Sequence, residues 1–149
     1  MAEPSFVPEG FTPPTRLDRA GFRLEPLNGE HNDRDYAAWT SSMEHIHATP
    51  GWEASTWPKE MTLDENMADL VRHDGDFQAR SGFTYTVLDD DDDVIGCVYI
   101  YPSKADPQVA KVSSWVTAAR AELDAPLYRT VRDWLDRDWP FAQVEYAAR

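Results

Sequence analysis

The chain has 149 residues, a length that suits one domain built around a single core. Its formal net charge of -13 argues against nucleic acid and anionic membrane as partners, since both require basic surface. A lone cysteine, Cys97, excludes an internal disulfide, no apolar run approaches the ~18 residues of a membrane span, and no basic-plus-apolar signal opens the chain, so a cytoplasmic location is expected.

Residues 1–20 carry Pro4, Pro8, Pro13 and Pro14 among Phe6, Val7 and Phe11, which predicts an extended N-terminal arm lying on a single domain of residues 21–149. Packing of its aromatics on their own domain is favoured over docking on a neighbouring subunit. Phe22 to Asn28 alternates apolar and polar residues and reads as the first strand. Asn32 is a candidate N-cap for a helix over residues 33–47, with Tyr36, Trp39, Met43 and Ile46 on one apolar stripe. A loop with Trp52 and Trp57 follows; these rings either cap the core or shape a pocket.

Thr62-Leu-Asp-Glu65 is a capping box that opens a second helix, with Leu63, Met67, Leu70 and Val71 as its expected apolar stripe and the segment His73 to Asp76 as its end or a kink. Phe83–Leu88 and the run from Val94 read as strands joined by Asp89 to Asp93. That acidic run lacks the alternating ligands, central Gly and terminal Glu of a calcium loop, so it reads as a solvated hairpin tip; no zinc spacing is visible and no metal site is expected. Val109 to Thr117 is the next strand, with Val112, Ser114 and Val116 facing one way and Ser113, Trp115 and Thr117 the other. A helix with Leu127, Val131, Trp134 and Leu135 on one side follows, with Asp124 as a candidate cap and Pro126 in its first turn. Phe141 to Tyr146 is the last strand, giving the order β-α-α-β-β-β-α-β.

The stretch from Val94 to Trp139, a strand ending in Trp115-Val116, a turn R-A-E-L-D-A from Arg120 to Ala125, and an amphipathic helix, resembles the acyl-CoA-binding half of the GCN5-related N-acetyltransferases, the GNAT superfamily. Their turn has the form Q/R-x-x-G-x-G/A; here Arg120 and Ala125 match, whereas Leu123 replaces the central Gly. The resemblance implies an α/β (α+β) fold with a mixed, mostly antiparallel sheet, ending before the family's last helix and two strands. It implies acetyl-CoA as co-substrate, with Trp115, Val116, Thr117, Arg120, Leu123, Ala125 and Arg129 on the cofactor side. It also implies direct acetyl transfer to a small-molecule or peptide amine, with Glu44, His45 and His47 as candidate proton acceptors and Tyr101 and Glu25 behind them. Leu123 limits close backbone approach, Pro126 removes an N–H, and Glu122 and Asp124 place negative charge where phosphate would sit, so weak coenzyme A binding or none is expected. The alternative is a catalytically inactive module, dimeric through an uncovered sheet edge, that binds a protein or a small ligand, with a cationic one suggested by the acidity and the tryptophans.

Overall fold

The computed structural model describes residues 5–149, so the opening four residues of the expected arm, Pro4 included, lie outside the described residues. Strands β1 (Leu17–Arg19), β2 (Phe22–Pro26), β3 (Phe83–Leu88), β4 (Val94–Pro102), β5 (Val109–Val116) and β6 (Gln143–Tyr146) form one sheet in that order. Neighbours pair antiparallel except β5 and β6, which are parallel. Between β2 and β3 lie α1 (Asn32–Thr40), α2 (Met43–His47) and α3 (Leu63–Gln78), and between β5 and β6 lies α4 (Asp124–Asp138).

The period-2 patterns sort the two faces of the sheet. Phe83, Tyr85 and Val87 of β3, Val98 and Ile100 of β4, and Val112 and Val116 of β5 join one apolar cluster with Leu127, Val131, Trp134 and Leu135 of α4. Burying each of those large apolar side chains contributes roughly 1.5–3 kcal/mol. The N-terminal segment seals the same cluster. Val7 is buried in it, Phe6 stacks on Phe141 at 4.9 Å, and the Tyr85 hydroxyl donates to the Pro14 carbonyl at 2.5 Å. Part of this segment is regular structure: Leu17–Arg19 turns back at Gly21 (φ +89°), a conformation glycine adopts without strain, and pairs with β2.

The opposite face carries Thr84, Thr86, Cys97, Tyr99, Ser113 and Trp115, and α1 to α3 cover it. Helical structure over residues 33–47 is interrupted at Ser41 and Ser42, and the Ser42 hydroxyl accepts the Ala118 N–H at 2.9 Å. Asn28 caps the short 3-10 turn Gly29–His31, whereas Asn32, the expected cap, donates to the Leu63 carbonyl at 3.2 Å and accepts from Asn66 at 2.8 Å. The Thr62–Glu65 capping box is present in both directions, and α3 continues through Gly75 to Gln78.

The expected stripe of α3 is corrected. Leu63, Met67 and Val71 are exposed, and the helix turns Asn66, Leu70, His73 and Phe77 towards the rest of the molecule. Inward Asn66 and His73 are tolerated because each finds hydrogen-bond partners there, which removes the penalty of burying a polar group. The acidic hairpin tip is solvated as expected, with Asp90 to Asp93 exposed, and it is also tied down. Asp89 accepts the N–H groups of Asp91 and Asp93 at 3.0 Å and pairs with Arg120 at 3.1 Å, while Asp92 pairs with Arg23. Among the described residues no cluster of three metal-ligating side chains occurs. No described helix is long and apolar enough to cross a membrane.

Candidate functional site

The polar face of the sheet encloses a cavity of about 400 Å³ between α1, α3, the Trp52–Trp57 loop and strands β4 and β5. This volume lies in the range of small-molecule pockets. One wall is aromatic. Trp52 lies 5.5 Å from Trp57 and 5.6 Å from Tyr99, whose ring is in turn 5.6 Å from His73. The rings are fixed by their polar ends: Trp52 Nε1 donates to the Ser114 carbonyl at 2.8 Å, and the Tyr99 hydroxyl accepts Trp115 Nε1 at 3.1 Å.

Asp35, projected from the first turns of α1, lies deep in this cavity and is only 4% exposed. Asn66 Nδ2 donates to one of its oxygens at 3.1 Å, and the other receives no hydrogen bond among the described residues. Asn66 is itself held by Asn32 and by Trp39 Nε1, the latter at 3.0 Å. Burial pushes the Asp35 carboxyl up to about 6, against which the Asn66 hydrogen bond acts. Burial also holds His73 down to about 4, so the ring is neutral at pH 7. Its Nδ1 lies 2.9 Å from the Tyr101 hydroxyl and 3.0 Å from Thr84 Oγ1, and the Tyr101 hydroxyl donates to Asp76. Arg72, at the rim, is directed to Asp69 at 3.6 Å and Asp76 at 4.0 Å.

The region expected to receive coenzyme A is built differently. Strand β6 follows β5 only from Val109 to Val112, so the β5 edge beyond Val112 is not paired with it. The chain fills that gap with its own groups. The Ser114 carbonyl accepts from both Trp52 Nε1 and Arg149 Nη2 at 2.8 Å, and the Ser114 hydroxyl is 2.5 Å from the Tyr146 hydroxyl. The Arg149 side chain is 3% exposed and pairs with Asp124 at 2.6 Å. Asp124 therefore does not cap α4 as expected; Leu123 occupies the cap position and makes no side-chain cap hydrogen bond.

The turn after β5 is a 3-10 helix, Ala118–Leu123, and four backbone donors from Thr117 to Asp124 are already engaged. The N–H groups of Thr117, Ala118, Arg120 and Asp124 reach Ile95 O, Ser42 Oγ, Thr117 O and Ala121 O. A phosphate needs such donors unpaired. Arg120 is neutralised by Asp89 and Glu122, Trp115 and Val116 are buried, Leu123 packs against the α4 cluster, Ala125 is half-buried, and Arg129 is exposed. These residues adjoin one another as expected, but in this conformation they do not fit a coenzyme A pyrophosphate.

The expected proton acceptors lie away from the cavity walls. His47 Nε2 hydrogen-bonds the Pro58 carbonyl at 2.6 Å, His45 Nε2 is buried with no partner, and Glu44 lies in the first turn of α2. Glu25 pairs with Arg23 on β2, whereas Tyr101 does line the cavity. Sequence reasoning did not single out Asp35, Asn66 or His73 as site residues. The Trp-rich loop and Tyr101 were the legible signals for this pocket.

No family model matches the sequence, and no curated protein matches it. Solved structures do match in shape. The ribosomal-protein-S5-alanine acetyltransferase of Vibrio fischeri superposes with a TM-score of 0.68 at 12% identity, over 88% of this chain and 72% of that one. The microcin C7 self-immunity acetyltransferase MccE, in complex with acetyl-CoA and AMP, gives 0.58 at 10% identity, over 79% of this chain and 64% of that one. The ribosomal L7/L12 α-N-protein acetyltransferase RimL in complex with coenzyme A gives 0.61 at 8% identity, over 80% and 66%. At such identities the likeness is one of fold: the chain has the GNAT-like acetyltransferase fold.

Proposed function

We propose that this GNAT-like domain is a binding module that holds a small organic ligand in the aromatic-walled cavity, with the acetyl-CoA side of the fold closed by its own residues. The observation that carries this reading is the Ser114 carbonyl, covered at once by Trp52 and Arg149 on the strand edge left open by β6. The four engaged donors from Thr117 to Asp124 and the neutralised Arg120 support it.

Acetyl transfer from acetyl-CoA to an amine is the second reading, favoured by the acetyl-CoA and coenzyme A complexes of its structural neighbours. Under it, Arg149 and Trp52 must leave the β5 edge before the cofactor enters. The cavity would then hold the acceptor, either a small molecule or the end of a peptide, and Glu44, His45 or His47, which lie away from its walls, would take the proton only through intervening water. A cytoplasmic location and a homodimer joined through the β6 edge belong to the same proposal.

Calorimetric titration of acetyl-CoA into the full chain at low salt separates the two readings. No heat is expected up to about millimolar ligand, the weak end of measurable affinity. Saturable binding to the unmodified chain, together with acetylation of any amine in a panel, would replace the binding-module reading with the transferase one. Arg149→Ala opens the β5 edge without touching the cavity walls. If it confers acetyl-CoA binding that the parent chain lacks, the closure is a property of that one side chain.

A further inference from the structure

We infer that the ligand of this cavity is an organic ammonium ion, with Asp35 as its counter-ion and the rings of Trp52, Trp57 and Tyr99 as its cage. The inference rests on the reading of the cavity as a ligand site and adds the chemistry of the ligand.

Asp35 is a largely buried carboxylate with one oxygen bound to Asn66 and the other without a protein donor among the described residues, in the lining of the cavity. Among the described residues it forms no salt bridge, although a buried charge ordinarily acquires a partner. The cations nearby do not serve. Arg72 is directed to Asp69 and Asp76, and burial keeps His73 neutral at pH 7. The cavity therefore presents an uncompensated acid, with Asp69 a second acidic group in its lining.

The same cavity has an aromatic wall rather than an aliphatic one. Ring faces attract a cation through their quadrupole, most strongly for Trp and when water is excluded. Both Trp52 and Tyr99 are buried or nearly so, and hydrogen bonds at their polar ends hold the rings in place before any ligand arrives. A preformed cage spends little binding energy on ordering side chains. An anionic ligand would meet the unpaired Asp35, with Arg72 already directed to Asp69 and Asp76. A neutral aromatic ligand would gain the ring contacts but leave Asp35 without a counter-charge.

Primary and quaternary ammonium ions share this chemistry and differ in whether they can donate to the free Asp35 oxygen. The test titrates phenethylammonium, choline, and the neutral isostere of choline in which carbon replaces nitrogen, each followed by calorimetry on the full chain at pH 7.5. At least one cation is expected to bind about tenfold or more tightly than the neutral isostere, the size of one charge-assisted contact. Preference for phenethylammonium over choline would assign a donor role to the ammonium, and the reverse would assign the cage alone. Asp35→Asn keeps an oxygen for Asn66 while removing the charge. It should abolish the cation preference and leave the isostere unchanged within about twofold, the scatter of such measurements. Equal binding of cation and isostere to the parent chain would overturn the ammonium assignment while leaving the cavity a ligand site. No binding of any of the three up to about millimolar would overturn both.

Discussion

Asp35 and His73 face one cavity from α1 and α3, and burial moves them in opposite directions, to about 6 and about 4. Because the folded state holds the Asp35 proton more tightly than an unfolded chain, its stabilising contribution is complete below about pH 4. That contribution is lost as pH rises through 6, at a cost on the order of 2–3 kcal/mol. His73 behaves conversely: its contribution is complete above its ordinary 6.5 and is lost as pH falls towards 4, by a similar amount. The two windows overlap, so the parent chain should show a shallow stability profile between pH 4 and pH 6.5. Asp69, Arg72 and Tyr99 face the same space. Replacing Asp35 with Asn should raise stability at pH 7.5 by about 2 kcal/mol and expose the His73 slope, so that the variant loses stability steeply on acidification. Urea unfolding across that pH range reads the effect; parallel profiles for parent and variant would refute the burial argument. None of this is visible in the sequence, where Asp35 sits in N-D-R-D at a helix start and resembles any acidic first-turn residue.

At the scale of single elements, hydrophobic periodicity served well on α4 and over residues 36–46, where Tyr36, Trp39, Met43 and Ile46 pack inward, and failed on α3. The α4 stripe of Leu127, Val131, Trp134 and Leu135 is buried as its spacing requires. On α3 Leu63, Met67 and Val71 face water, because inward positions beside Leu70 and Phe77 are given to Asn66 and His73, whose partners lie on α1, β3 and β4. Residues 73–76 do not end that helix, since the capping and packing around it outweigh the roughly 1 kcal/mol cost of one helical glycine. Glycines therefore differ sharply by element. A Cβ on Gly75 meets nothing within 4 Å, whereas one on Gly96 would come within 2.5 Å of the Trp115 carbonyl oxygen, backbone that is paired across β4 and β5. Gly75→Ala should stabilise the chain by about 0.5–1 kcal/mol. Gly96→Ala should destabilise it by about 2 kcal/mol or more, since one strand must shift from the other. Denaturant midpoints measure both, and a neutral Gly96→Ala would mean that the β4–β5 pairing at Val116 is looser than described.

For the whole molecule, five of the six strands were legible because each is a short apolar run bounded by turn residues, whereas β1 (Leu17–Arg19) fell inside the stretch read as an extended arm, and the antiparallel majority came with the family resemblance. The helix between β5 and β6 is what allows β6 to add in parallel. The closure of the β5 edge was not legible, because it joins Trp52, Ser114 and Arg149 across long sequence separations. The two sheet edges differ in a way that bears on assembly. β1 is three residues long and flanked by the exposed Arg16–Asp18 pair, charge of the kind that discourages pairing. β6 offers four residues, with Val144 half-buried, beside a shallow groove formed by Val109, Gln143, Val144 and Glu145. A second copy adding its own β6 there would satisfy both edges about a two-fold axis. A net charge of -13 on each copy opposes that approach, and added salt screens the repulsion. Sedimentation equilibrium should therefore show a monomer–dimer equilibrium that shifts towards dimer between about 0.05 and 0.5 M salt, as the screening length falls below about 10 Å. Val144→Lys should return the chain to monomer at either salt. A monomer under all conditions would remove the homodimer from the proposal and leave the cavity as the molecule's one binding feature argued from its structure.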